Sequence, residues 1–367
     1  MRIVFFTDHF TPEISAPAAH IFDRCKIWVE QGHHVEVITN VPNYPLGKPY
    51  KGYKNRIRNW EQIEGINVLR VATYMAENKG SFKRTMDYIS FAISSFFNSL
   101  SLKKPDIVYS TSPHIFAPFG AIAFSIIKGC PHILEVRDIW PESIAATTGM
   151  IKTSITYRFF EFIEKILYKS SKKIIVFTNS FKKNLIQKGV PEHKLDVVIN
   201  GANLSLFKNP IFDNSLAESL NLKDKFVVGY MGTHGLAHNL KNAVRAAALL
   251  KDLNIYFLFL GEGAEKAEMI SLAKELNATN IHFIGKKPRE ELPSYWSICD
   301  AGLVHLKNNE VFKNVIPSKI FEAMAMGIPL LHGVRGESAE IVHSTGIGLC
   351  FEPEKPEALL SAIRQMM

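Results

Sequence analysis

Cysteine is scarce in this chain. Among 367 residues only Cys25, Cys130, Cys299 and Cys350 are cysteines, far apart and never paired as Cys-x-x-Cys. That leaves out zinc-finger spacing and reads as small buried thiols in a reducing cytoplasm. Long apolar runs are also missing: none reaches the roughly 18 residues of a membrane-spanning helix. The opening Met-Arg-Ile-Val-Phe-Phe-Thr-Asp is too short for a signal peptide and reads as a first buried strand. No G-x-G-x-x-G fingerprint follows that strand, which argues against a nicotinamide or flavin dehydrogenase, and no P-loop argues for an ATPase. No Asp-x-Asp stands at the end of a strand. Nucleic acid is not an expected partner either, because no RNA-binding signature or long basic tail is present. Acidic residues fall short of basic ones, 35 against 43, and the resulting +8 suits anionic ligands or an anionic membrane surface.

What is present is a rhythm. Short apolar runs alternate with helical patterns: Ile3–Phe6, His34–Thr39, Asn67–Val71, Ile107–Ser110, Ile133–Val136, Lys173–Phe177 and Asp196–Ile199, then again Phe226–Tyr230, Ile255–Leu260, Ile281–Ile284, Ala301–His305, Ile328–Leu331 and Gly348–Phe351. Such alternation predicts parallel sheet with helices on both faces. The break at 200–209 predicts a hinge between two doubly wound α/β domains, 1–199 and 210–367. Ligands of such sheets bind beyond the carboxyl ends of the strands, so the expected site is a cleft between the domains. The segment Gly80–Lys104 departs from the rhythm. It is rich in Phe and Ile with Lys83, Arg84, Lys103 and Lys104 at its ends, which suits either a core helix or one lying on a bilayer. Tyr157–Lys173 repeats the mixture.

Several polar motifs fall where strands end. The stretch from Asn314 to Pro329 reads as a short helix with Pro317 at its first position and Gly327 and Pro329 at its end. Its start attracts anions, Lys319 adds a charge in the first turn, and Glu322 lies about one turn on. An anion site beside a carboxylate suits a nucleotide sugar. Met231-Gly-Thr-His-Gly-Leu-Ala-His238 offers Gly232 and Gly235 for close approach to a phosphate, with His234 and His238 as donors to oxygen. The two histidines lack a third metal ligand nearby, so no metal is expected. Gly261-Glu-Gly263 forms a tight turn, Lys307 follows another strand, and Arg335 and Gly336 open a further anion-facing turn. In the first half, Arg137 and Asp138 sit where the Ile133–Val136 strand ends. Asp138 is a candidate base or hydroxyl-orienting group, and Arg137 a counter-charge; a structural Arg–Asp pair is the plainer alternative. The first loop, Thr7 to His20, precedes a helix reaching Glu30.

Taken together these motifs resemble the bacterial retaining glycosyltransferases of family 4, which have the GT-B fold. The resemblance spans nearly the whole chain. Its pieces are Gly32-His-His-Val-Glu-Val-Ile-Thr39, Asn200-Gly-Ala-Asn-Leu-Ser-Leu-Phe207, Gly261-Glu-Gly263, Glu322-Ala-Met-Ala-Met-Gly-Ile-Pro329 and Gly346-Ile-Gly-Leu-Cys-Phe-Glu-Pro353. Val136-Arg-Asp-Ile-Trp-Pro-Glu-Ser143, Pro317-Ser-Lys-Ile-Phe-Glu322 and Asn43-Tyr-Pro45 are similar to the branch that transfers N-acetyl-L-fucosamine or related amino sugars in O-antigen and capsule synthesis.

The resemblance implies a UDP-sugar donor on the second domain. Glu322 would hold its ribose, Lys319 and Lys307 would face its diphosphate, and Gly232 with the following turn would approach the phosphates. Asn314, Ser318, Arg335 and Gly336 complete the donor side. It also implies a polyprenyl-diphosphate-linked sugar acceptor on the first domain, near Ala16, Pro17, His20 and Tyr44. Catalysis would fall to Asp138, Arg137 and Lys319, with no metal or cofactor, on the cytoplasmic face of the inner membrane. The chain departs from the family pattern in places. Asn314 replaces a common Glu. His234, His238 and Asn239 occupy the region of a usual Arg and Lys, and Ala16 and Pro17 replace a glycine pair. Arg137 replaces a histidine, and the chain stops at Met367, ahead of the usual last crossover helix. A UDP-sugar 2-epimerase or hydrolase shares the two-domain layout, and a non-catalytic nucleotide-sugar-binding subunit would fit Asn314.

Overall fold

The computed structural model describes all residues except 14, 45, 77–80, 113–114, 149 and 209–210, together with the side chains at 81–82 and 146–148. Pro45, Gly80 and Asn209, which bounded expected motifs, therefore lie outside the described residues, as does the side chain of Phe82. The chain divides into two compact units, Met1–Val198 and Ile199–Met367.

The first unit is built on an eight-stranded sheet. Its strands are β1 (Arg2–Phe6), β2 (His34–Asn40), β3 (Arg58–Ile63), β4 (Ile66–Val71), β5 (Ile107–Ser112), β6 (His132–Val136), β7 (Lys173–Val176) and β8 (Leu195–Val197), in the order β3-β4-β2-β1-β5-β6-β7-β8. All neighbours are parallel except β3 and β4. Both faces of the sheet are covered. Phe5, Val35 and Val37 pack with Ile21 and Cys25 of helix Ala16–Glu30, while Val4, Phe6 and Ile38 pack with Phe91 and Phe124 of two other helices. Continuous apolar strands are what such double burial requires.

The second unit carries β9 (Phe226–Met231), β10 (Ile255–Leu260), β11 (Ile281–Ile284), β12 (Ala301–His305), β13 (Leu330–Gly333) and β14 (Gly348–Cys350), ordered β11-β10-β9-β12-β13-β14 and wholly parallel. One core holds Met231, Leu260, Trp296 and Ile320; the other holds Tyr230, Phe259 and Leu331. Phe207, from the segment read as a hinge, is buried in the first of these cores.

Four local expectations are corrected. Strand β3 is missing from the strands expected above, because Arg-Asn-Trp-Glu-Gln-Ile alternates between exposed and half-buried positions and has no fully buried side chain. It is an edge strand joined to β4 by a two-residue turn, with Glu64 (φ 48°) and Gly65 (φ 79°) both left-handed. The first helix starts at Ala16, not after His20, because Ser15 caps it by accepting from Ala18 N at 3.3 Å, with Pro17 in the first turn. Strand β13 starts two residues late, since Pro329 has no N–H to give to a ladder. The helix expected from Pro317 runs Lys319–Ala325, only seven residues. Its first turn is tightened by bonds from Ile320 N to Pro317 O (3.1 Å) and from Phe321 N to Ser318 O (3.0 Å). Among the described residues no helix is long and apolar enough to cross a membrane.

Candidate active site

In a doubly wound sheet the strand order reverses at one point, and the loops leaving the two flanking strands splay apart there to make a crevice. In the second unit that point lies between β9 and β12. The loop after β9 carries Gly232, His234 and Gly235; the loop after β12 carries Lys307. They are tied together by Lys307 N donating to Ala237 O at 2.9 Å. The β9 loop is also joined to the turn after β10. Gly232 N donates to Leu260 O, and His234 N to Glu262 O, both at 2.9 Å. Gly261 (φ 146°) and Gly263 serve that junction. A Cβ on Gly261 would stand 1.9 Å from Gly232 O, and one on Gly263 2.3 Å from His234 O. These two glycines thus have a demand from the protein itself, whereas a Cβ on Gly235 would meet only ordinary contacts at 3.5 Å or more.

Lys319 reaches this crevice. Its Nζ lies 4.5 Å from the centroid of the Tyr230 ring, donates to Tyr230 Oη at 3.3 Å, and stands 3.2 Å from where a Cβ on Gly232 would be. Desolvation lowers its pKa to about 8, with Glu322 pulling the other way. Glu322, one turn on, is raised by burial against the pull of Lys319 and Arg289. Because Ile320 N and Phe321 N are already bonded, the attraction of this short helix for an anion rests on the Lys319 charge, not on a row of open amides. His234 is fully buried, both ring nitrogens lack a protein partner, and burial lowers its pKa to about 4. His238 is lowered to about 3 by burial and then by Lys319. Both are neutral at pH 7, each able to donate at one nitrogen and accept at the other.

The remaining donor candidates are spread more widely. Lys307 is exposed. Asn314 ends a short 3₁₀ turn, and Ser318 precedes the Lys319 helix. Gly336 (φ 86°) abuts that 3₁₀ turn: its Cβ would sit 2.1 Å from Lys313 O. Arg335 is paired with Glu352 at the surface, so its charge is already matched.

In the first unit the reversal lies between β1 and β5. Arg137 donates from Nε to Thr111 Oγ1 at 2.9 Å, at the end of β5, and its guanidinium lies 4.8 Å from the Phe177 centroid. Its pKa falls to about 10 through burial, and that of Asp138 rises to about 6 for the same cause, opposed by Arg137. Asp138 lines a cavity of about 10 Å³ with Trp140, Glu164 and Tyr168, room for one water. Tyr44 is brought to His9, with ring centroids 5.1 Å apart, and its N–H donates to Glu13 at 3.0 Å. Ala16, Pro17 and His20 lie in the opening turns of the first helix.

Comparison with known proteins fixes the family. Residues 16–201 match the glycosyl transferase 4-like domain, and residues 212–367 match glycosyl transferases group 1. The chain is a glycosyltransferase of this family. It is 25% identical to WcaI of Escherichia coli (strain K12), named for glycosyl transfer in colanic acid biosynthesis, over 100% of this chain and 92% of that one. Among solved structures, sucrose-phosphate synthase from Thermosynechococcus elongatus superposes with a TM-score of 0.74 at 16% identity, covering 100% of this chain and 89% of the other. Anabaena HepE in complex with UDP and glucose superposes with a TM-score of 0.71 at 15% identity, over 100% and 89%. The fold of the glycosyltransferase is GT-B.

Four features of the glycosyltransferase escaped the sequence reading. Tyr230 looked like an ordinary strand aromatic, yet its ring carries Lys319. Arg289, in a short 3₁₀ turn, acts on Glu322 across the fold. Glu135, fully buried in β6, is held between Arg24 and Arg137. Asp8, His9, Glu13 and Asp87 cluster beyond β1. There burial opposes a charge on His9, but Asp8 and Glu13 outweigh it and raise its pKa to about 9. Tyr230, Arg289 and the Arg24–Glu135 pair meet partners remote in sequence and leave no local pattern to read, whereas Asp8, His9 and Glu13 lie within one loop and only Asp87 joins them from afar. Among the described residues no group of three His, Cys, Asp or Glu is placed to hold a metal.

Proposed function

We propose that this glycosyltransferase moves a hexosamine-type sugar, such as N-acetyl-L-fucosamine, from a UDP-sugar to a polyprenyl-diphosphate-linked acceptor, with retention and without a metal, in synthesis of a bacterial surface polysaccharide. The observation that carries the donor side is the Lys319 ammonium resting on Tyr230 beside Gly232, with Glu322 one turn on. A point charge next to a bare backbone suits a diphosphate, and a nearby carboxylate suits ribose hydroxyls. The buried imidazoles of His234 and His238 suit oxygens of the same ligand. UDP in the HepE complex and the colanic acid role in the name of WcaI agree with the reading.

In the reaction the bond from the anomeric carbon to the UDP oxygen breaks. The acceptor oxygen bonds to that carbon on the same face, and its proton passes to the departing phosphate. Lys319 stabilises the growing negative charge more in the transition state than in the ground state. Acceptor hydroxyls are assigned to the first unit, where Asp138 and Arg137 stand at a strand end.

The test is a mass-spectrometric screen of UDP-amino sugars against lipid-linked acceptors. A new glycolipid is expected only when both substrates are present. A new sugar nucleotide made without acceptor would point to an epimerase and overturn the proposal. Lys319→Ala is expected to lower kcat/KM for the donor by about 10²–10³-fold. Free-enzyme kcat/KM is expected to decline as pH rises through about 8, where Lys319 loses its proton. Unchanged turnover in Lys319→Ala would remove the charge stabiliser from this scheme.

A further inference from the structure

The loop that follows β6 runs from Arg137 to Pro141, with Asp138 near its start. A side chain remote in sequence takes hold of it. Lys188 stands just past the helix Asn179–Gln187, where its own backbone is fixed. Lys188 N donates to Asn184 O at 3.0 Å, and Gly189 (φ 88°) turns the chain so that Val190 N reaches Leu185 O at 3.0 Å. The Lys188 ammonium then donates to three acceptors at once. They are Trp140 O at 2.9 Å, Glu142 Oε2 at 2.8 Å and Glu164 Oε2 at 2.7 Å. An ammonium has three protons, so each finds an acceptor.

Glu164 comes from the helix Ile155–Ser170 and is buried; its other oxygen, Oε1, accepts from the Tyr168 hydroxyl at 2.6 Å. Phe160 of the same helix packs edge-on against the Trp140 ring, with centroids 5.5 Å apart. Trp140 is thus held twice, by its ring and by its carbonyl. Asp138, two residues earlier, lines the same small cavity as Trp140, Glu164 and Tyr168. Among the described residues the charged and titratable groups facing Lys188 are Glu142, Glu164 and Tyr168. Tyr157 faces the same carboxylates, and Arg137 faces Asp138. Burial raises both Glu164 and Asp138, and the cation beside each pulls the other way. A buried ion pair adds little net stability, because desolvation offsets the attraction. A bond to a loop carbonyl just past a strand end has a different effect: it fixes where Asp138 points.

We infer that Lys188 is a positioning residue of the transfer reaction, holding the loop after β6 so that Asp138 meets a hydroxyl of the acceptor sugar. The inference rests on the reading of Asp138 as an acceptor-side group. Lys188→Met keeps the reach of the side chain and removes its three bonds. It is expected to lower kcat about 10–100-fold. UDP binding, measured by calorimetry, is expected to be unchanged. A second readout is one that lost stability alone would not move. Wild-type kcat/KM for the acceptor is expected to rise with pH through about 6, as Asp138 ionises and can accept from the hydroxyl. In Lys188→Met water reaches the loosened carboxyl. This limb is then expected to move down by about one pH unit, toward the ordinary carboxylate range. Lys188→Met with Glu164→Gln removes both charges together, so no carboxylate is left buried without its cation, and it is expected to behave as Lys188→Met does. Glu164→Gln alone keeps the bond to Trp140 O and is expected to retain most of the turnover. Wild-type kcat in Lys188→Met, a limb that stays near 6 in both Lys188 variants, or Glu164→Gln as slow as Lys188→Met would each overturn the inference. Asp138→Asn tells the two readings apart. If it is slow while Lys188→Met is fast, the positioning role alone fails; if it turns over like wild type, the acceptor-side reading beneath that role fails.

Discussion

At the scale of single residues, the ammonium of Lys319 depends on a ring that no motif announces. Tyr230 is fully buried; its hydroxyl donates to Thr233 O at 2.9 Å, and its face lies under Lys319. The side chain therefore fixes the turn after β9 through its hydroxyl and aims the charge through its ring face. Tyr230→Leu removes both effects and is expected to cost about 1 kcal/mol of donor binding, roughly a fivefold rise in donor KM, while Tyr230→Phe, which keeps the ring, costs less. Steady-state kinetics of the two variants check this; equal losses would mean that the hydroxyl, not the ring, holds the lysine. The order of the two effects also shows what a sequence conceals. Lys319 and Glu322 were legible because they share a helix three residues apart. Tyr230 and Arg289 were not, because each meets its partner only through the fold.

At the scale of elements, glycine decides how closely the strand-end turns approach. Gly263→Ala would push a Cβ to 2.3 Å from His234 O, and Gly336→Ala one to 2.1 Å from Lys313 O, both backbone atoms that cannot swing away. Each is expected to lower stability by about 1–3 kcal/mol, read as a lower denaturant midpoint, whereas Gly235→Ala, whose Cβ would make only ordinary contacts, should change little. The Gly-Glu-Gly turn was visible in the sequence as a tight turn after a strand. Its position against the His234 turn was not, since that depends on β10 lying beside β9. The parallel strands were legible for a simple reason: burial on both faces makes them continuously apolar. Strand β3 is wet at every second residue, and its polar composition resembles a loop.

At the scale of the whole molecule, the two units carry opposite responses to acid. In the second unit burial lowers the pKa of His234 and His332 to about 4 and of His238 to about 3, and lowers His282 and His305 as well. A histidine depressed on folding contributes stability that is present above its unfolded pKa, near 6.5, and lost as pH falls toward the folded value. Glu322 and Asp300, raised by burial, oppose this only in part. In the first unit Asp87 and Glu164 are raised to about 7 and Asp138 to about 6, each by burial first. Their contribution is present below the unfolded carboxyl pKa, near 4, and is lost as pH rises through 6 to 7. His132, lowered to about 3, is the counterweight there. Lowering pH from 7 to 5 is therefore expected to destabilise the second unit more than the first. Calorimetry, with transitions assigned by limited proteolysis, checks this; parallel shifts of both transitions would contradict it.

The joined turns after β9, β10 and β12 carry a lesson for engineering. His234 bonds to Glu262 and Ala237 to Lys307, so the three loops form one plate. Grafting a single loop from a relative of different sugar preference would tear that plate at its seams. A chimera that exchanges all three segments together, with the strands that bear them, is the transplant that should keep a working pocket.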